Sequence, residues 1–129
     1  MSRIISTENA PAAIGPYVQA VDLGNLVFTS GQIPICPKTG QLVDEDIAGQ
    51  TRQSLSNIKA ILEAAGLQVA DIIKTTVFVK DLNEFSTVNA AYEAFFKENN
   101  APFPARSCVE VARLPKDAQI EIEAIACRR

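Results

Sequence analysis

Ile120-Glu121-Ile122-Glu123-Ala124-Ile125-Ala126-Cys127 is the stretch that decides the fold. Ile120, Ile122, Ala124 and Ala126 share one side of an extended chain, and Glu121, Glu123 and Ile125 share the other. A period of two with one apolar side is the pattern of a strand lying on a core. Upstream, Arg106–Leu114 alternates as well, and Pro115-Lys116-Asp117 turns the chain between the two, so the simplest reading is a hairpin. Ile72–Lys80, rich in Ile, Thr, Val and Phe, predicts another strand. Arg3–Ser6, Tyr17–Leu23 and Asn25–Ser30 predict three more, the last two meeting at Gly24.

Two segments keep a helical period instead. Ile47, Leu55, Ile58, Leu62 and Ala65 share a face behind the acidic run Asp44-Glu45-Asp46, which suits the positive end of a helix, and Gly66 stops it. Phe85, Val88, Tyr92, Phe95 and Phe96 share a face of a second helix, with Asp81 or Asn83 as its cap and Asn99-Asn100 near its end. Strands, helix, strand, helix, strand, strand is the order of an α+β layer, two helices covering one face of a mixed β-sheet. The other face keeps many apolar positions and predicts that another copy of the chain covers it. No repeat or linker interrupts residues 1–129, which read as one domain.

Composition narrows the chemistry. With 47% hydrophobic and 21% charged residues in 129, the chain has the make-up of a globular protein. Twelve basic against fifteen acidic residues leave a net charge of −3, which argues against general attraction to nucleic acid. The apolar stretch Tyr17–Phe28 is broken by Asp22 and Asn25 and is too short to span a membrane. Met1–Ser6 holds too little apolar length for a secretory segment. Cys36, Cys108 and Cys127, an odd set without CxxC spacing, read as reduced thiols of a cytoplasmic protein. Histidine is absent, which removes Ser-His and Cys-His pairs and His-based metal sites. Carboxylates, Arg, Lys, Tyr, Cys or backbone groups must carry any catalysis.

Arg106, at a strand start after Phe103-Pro104-Ala105, carries a planar fork that can hold a carboxylate by two parallel hydrogen bonds; by local pattern a solvated strand-end cation is the more common case. Cys108, on the same face, has no imidazole to ionise it and reads as a small hydrophobe whose backbone N–H can still meet a ligand. Glu121, between two isoleucines, can have a raised pKa and handle water, and Glu123 has equal claim by pattern. Gly31, Tyr17 and Asn89 read locally as a turn glycine, half-buried packing and a solvated polar residue. Phe85, Tyr92, Phe95 and Phe96 read as core. In a simple hairpin centred near Lys116, Glu121 lies opposite residue 111 and roughly 16 Å from Arg106, at about 3.3 Å per residue. An irregular loop or a site joining two chains could bring them to one ligand, and the uncovered sheet face favours two chains.

Several segments in order carry a resemblance: Ala13-Ile14-Gly15-Pro16-Tyr17, Thr29-Ser30-Gly31-Gln32-Ile33-Pro34, Val77-Phe78-Val79-Lys80-Asp81-Leu82, Phe103-Pro104-Ala105-Arg106-Ser107-Cys108-Val109, and Ile120–Ala126. Over essentially the whole chain the sequence resembles the reactive intermediate deaminase (Rid, YjgF) family. That resemblance implies a chorismate-mutase-like α+β fold and a homotrimer with a central barrel and sites between subunits. It implies hydrolysis of 2-imino acids to 2-oxo acids and ammonia, without metal or cofactor, protecting pyridoxal-phosphate enzymes from enamines. It makes Arg106 the carboxylate clamp, Glu121 the group that activates water, and Tyr17, Gly31, Asn89 and Cys108 the substrate-binding positions. The alternatives are an endoribonuclease that inhibits translation and a non-catalytic, chaperone-like protein that binds 2-oxo acids. No membrane partner is expected.

Overall fold

The computed structural model describes residues 3–129. Its strands are β1 (Arg3–Ile5), β2 (Ala20–Asp22), β3 (Leu26–Thr29), β4 (Ile72–Val79), β5 (Ala105–Glu110) and β6 (Ile120–Cys127). The helices are α1 (Ile47–Ala64), between β3 and β4, and α2 (Phe85–Glu98), between β4 and β5. All six strands join one sheet in the order β1-β2-β3-β6-β4-β5. The β4–β5 pair is parallel and the other four pairs are antiparallel.

The expected hairpin between β5 and β6 does not form. Both strands pair with β4, one on each side, and the connection 111–119 crosses from one to the other. A parallel β4–β5 pair needs a crossover, and α2 supplies it. Strand β5 is also shorter than its alternation suggests. It ends at Glu110: the Val111 N–H still reaches the Val79 carbonyl, but beyond it the chain departs and Val111 and Leu114 pack with Ile33, Ile35 and Ala118 in a satellite cluster.

Alternating burial separates the two sheet faces. Ile120, Ile122, Ala124 and Ala126 of β6, with Val77 and Val79 of β4, are buried under Leu55, Ile58 and Leu62 of α1 and Val88, Tyr92 and Phe96 of α2. Both helices therefore cover one face. The opposite face carries Ile4, Phe28 and Val109, all exposed, beside half-buried Phe78 and Ile125. Ile4, Phe28 and Ile125 lie in one row across β1, β2, β3 and β6, and Phe78 and Val109 form a second apolar pair further along β4 and β5.

Local signals act as their chemistry requires. Asp46 caps α1 by accepting the Gly49 N–H at 2.9 Å. Gly66, at φ +79°, ends the helix as the Leu67 N–H returns to the Leu62 carbonyl at 2.8 Å. Asp81 caps the short turn Leu82–Glu84 through the Asn83 N–H, and α2 follows with no side-chain cap of its own. At the far end of the sheet, buried Asp22 accepts Arg3, Arg128 and the Gly24 N–H, which hold its carboxyl below the usual range. Among the described residues no helix is long and apolar enough to cross a membrane.

Candidate active site

Two incomplete sites, on opposite faces of the sheet, emerge from this topology. Arg106 pairs in register with Thr75, whose side chain is buried on the helix-covered face. Glu121 pairs with Phe78, three residues further along β4 and therefore on the open face. Two strand spacings and three residues of rise separate their backbones by about 14 Å. One chain cannot direct both side chains onto the same small molecule.

The first half-site gathers around Glu121. The ladder slips by one residue between the pairs Phe28–Ile125 and Gln32–Ile122, so a bulge forms at Ser30–Gly31. It brings Gly31 under the Glu121 side chain so closely that a Cβ there would lie 2.8 Å from the carboxyl carbon. The position thus serves the chain's own carboxylate, a use of glycine that sequence reading does not suggest. Glu121 is half-buried, and burial first, then the negative charge of Glu123, raise its pKa. Glu123 is exposed, which separates two residues that the pattern leaves equal. Tyr17 is 47% exposed, and its hydroxyl accepts the Ile14 N–H at 3.2 Å, leaving its own proton to donate. Tyr17, Gly31 and Glu121 line a cavity of about 60 Å³ walled by Pro11, Ile14 and Ile33. A larger groove, about 590 Å³, runs beyond Tyr17 along β1 and reaches neither Glu121 nor Arg106.

Two buried amides hold these walls. Gln19 accepts the Thr7 N–H and donates to the carbonyls of Thr7, Ala10 and Pro11. Asn57, on α1, donates to the carbonyls of Ile33 and Ile35. Neither stands out in the sequence, because each partner is distant along the chain.

The second half-site gathers around Arg106. Its Nη1 donates to Asn89 Oδ1 at 2.7 Å, and its guanidinium carbon lies 5.4 Å from the Phe85 ring centroid and 5.0 Å from that of Tyr92. Asn89, Tyr92, Phe103, Pro104 and Arg106 line a cavity of about 300 Å³. Strand β5 is a sheet edge. The Val111 N–H to Val79 carbonyl bond sets the phase of the parallel ladder: odd-numbered amides point to β4 and even-numbered ones off the edge. The Cys108 N–H is thus directed outward beside the arginine, while its thiol packs against the core and burial raises its pKa. Sequence reasoning assigned Phe85 to core, yet it is 39% exposed and sits against Arg106.

The chain belongs to the family described as Endoribonuclease L-PSP, whose model matches residues 7–128. This is the Rid (YjgF) family that the sequence motifs resemble. The chain is 76% identical, over the full length of both, to the 2-iminobutanoate/2-iminopropanoate deaminase of Escherichia coli K12. It superposes with a TM-score of 0.96 on the crystal structure of the YjgF gene product of E. coli, at 74% identity over 98% of this chain and 99% of that one. The same score relates it to E. coli TdcF with bound serine, at 62% identity over 98% and 99% of the two chains.

Proposed function

We propose that this protein is a 2-iminobutanoate/2-iminopropanoate deaminase, converting small 2-imino acids to 2-oxo acids and ammonia at sites shared between copies. The observation that carries this reading is the full-length 76% identity to a deaminase of that name. The two half-sites give it a mechanism. Arg106 of one copy clamps the substrate carboxylate while the outward Cys108 amide and Asn89 border the same cavity edge. Glu121 of the neighbouring copy takes a proton from water as the water attacks the carbon of the protonated imine, and returns it to the nitrogen of the resulting carbinolamine. As the C–N bond breaks and ammonia departs, the carbinolamine hydroxyl gives its proton to the same carboxylate and becomes the carbonyl of the 2-oxo acid. Tyr17 and the walls around Gly31 shape the space above the imine.

The exposed apolar face supports association, and a ring of three copies is the arrangement the family resemblance implies. Three unpaired cysteines suit a reducing cytoplasm. The description of the family supports an RNA-cleaving second reading. Salt-sensitive RNA cleavage lost on Arg106→Ala substitution would favour it over the deaminase.

The direct test supplies imine from threonine dehydratase, with semicarbazide competing for it. Wild type is expected to divert the imine to 2-oxobutanoate, and Arg106→Ala to lose about 10- to 100-fold of that effect, the worth of a charge-assisted hydrogen-bond pair. Equal trapping with and without the protein would overturn the deaminase reading.

Glu121 also sets an expected pH dependence. It acts as base only when ionised, and its carboxyl titrates above the ordinary range. The acid limb of kcat/KM therefore falls through that raised value as pH drops. Glu123→Gln removes the neighbouring charge and moves the limb to lower pH; an unmoved limb would show that another group titrates.

A further inference from the structure

Phe85, Asn89 and Tyr92 stand at positions i, i+4 and i+7 of α2, a single stripe facing the edge strand β5. Phe85 and Tyr92 are about 10.5 Å apart along the helix axis, at 1.5 Å per residue. The Arg106 guanidinium carbon lies about 5 Å from each ring, with Asn89 bonded to it from the intermediate turn. This spacing lets the rings flank the planar cation while the amide occupies one of its edges.

We propose that Phe85 and Tyr92 are positioning residues that clamp Arg106 into a preformed carboxylate receptor, with Thr75 as the anchor of the clamp. The inference rests on the deaminase reading for its ligand and goes beyond it in assigning these three residues. Asn89 takes an Nη1 hydrogen, and among the described residues Nε and Nη2 have no hydrogen-bonding partner. Those two groups form the edge that matches a carboxylate bidentately. Glu93, the acidic side chain on the cavity wall, is held by Lys97 at 3.0 Å and does not occupy that edge. Tyr92 is itself fixed, because its hydroxyl shares a 2.6 Å hydrogen bond with Thr75 in the buried layer. Phe85 is the outer jaw, standing at the exposed first turn of α2. A flexible arginine loses side-chain entropy when it binds; an arginine already held between rings has lost most of it beforehand.

The substrate carboxylate carries the same charge before, during and after imine hydrolysis. The clamp therefore strengthens ground state and transition state alike, and its loss raises KM with kcat unchanged. The probe is 2-oxobutanoate, whose binding is measured by calorimetry alongside turnover of dehydratase-generated imine. Phe85→Leu is expected to weaken binding and raise KM about two- to fivefold, the worth of one exposed cation–π contact. Phe85→Tyr, which keeps the ring, leaves both at the wild-type value. Tyr92→Phe, which loses only the Thr75 bond, gives an intermediate loss. Because Phe85 is exposed, its thermal midpoint stays near wild type. Unchanged binding in Phe85→Leu, or a fall in kcat without a rise in KM, overturns the clamp while leaving the deaminase reading intact. A wild type that neither binds the oxo acid nor turns over the imine overturns both.

Discussion

Co-assembled Arg106→Ala and Glu121→Gln chains are expected to recover about one quarter of wild-type activity, although each variant alone is defective. The expectation follows from the sheet. Arg106 faces the helix layer and Glu121 the open side, and in the proposed shared site each working unit draws its arginine from one copy and its glutamate from the next. Alone, Glu121→Gln removes the base from every site and costs about 10²–10⁴-fold in kcat. Alone, Arg106→Ala weakens every carboxylate clamp. In a random equal mixture, about one interface in four joins an intact glutamate to an intact arginine. The measurement is the specific activity of the two chains co-expressed in equal amounts and purified through a tag common to both, so that no assembly is selected. Activity no higher than the average of the two parents would mean that a single chain holds its whole site.

Gly31→Ala is expected to lower kcat about 10²-fold with little change in thermal stability. The added methyl would sit 2.8 Å from Glu121 Cδ and 3.0 Å from Oε2, so one of them must move. The carboxyl is the end of a flexible side chain, and it moves more cheaply than the bulged backbone, pinned by two hydrogen bonds between Gln32 and Ile122. A displacement near 1 Å at a reacting group is enough for a loss of that size. The glycine of the β2–β3 turn, Gly24, at the other end of β3, has nothing within 4 Å of its Cβ direction but stands at φ +102°, so Gly24→Ala costs stability through backbone strain and spares kcat. Steady-state kinetics and thermal melts of the two variants separate these effects. A Gly31→Ala enzyme with wild-type kcat would remove Gly31 from the seat of the base.

The parts of this architecture written in short-range pattern were legible. Ile47, Leu55, Ile58 and Leu62 recur at helical spacing, Asp46 offers a cap oxygen and Gly66 a left-handed stop, and α1 forms between them. Alternation along Ile120–Cys127 gave both the strand and its buried side. What escaped was non-local. The strand pattern of Arg106–Leu114 says nothing of its neighbour, and β5 joins β4 through a helical crossover rather than β6 through the nearby turn. The one-residue slip at Ser30–Gly31 has no signature beyond a glycine, yet it seats Glu121 and leaves Glu123 in solvent. Phe85 and Tyr92 share a helix face with the core residues Val88 and Phe96, so periodicity groups them together. Only the position of Arg106 across the layer sets the first two apart. The asparagine between them, at i+4, was the available hint, since a polar residue inside an aromatic stripe asks for a partner.

The two-faced placement of Arg106 and Glu121 also makes output a threshold quantity. With the site shared as proposed, a newly made chain holds every reactive group and no working site, and is silent until it meets its own kind. At low dose, activity per chain climbs with the concentration of chains, as for any property that resides in the complex. Above the dissociation constant it levels off, and each further chain adds one site. Imine clearance by such a protein would switch on over a narrow range of expression.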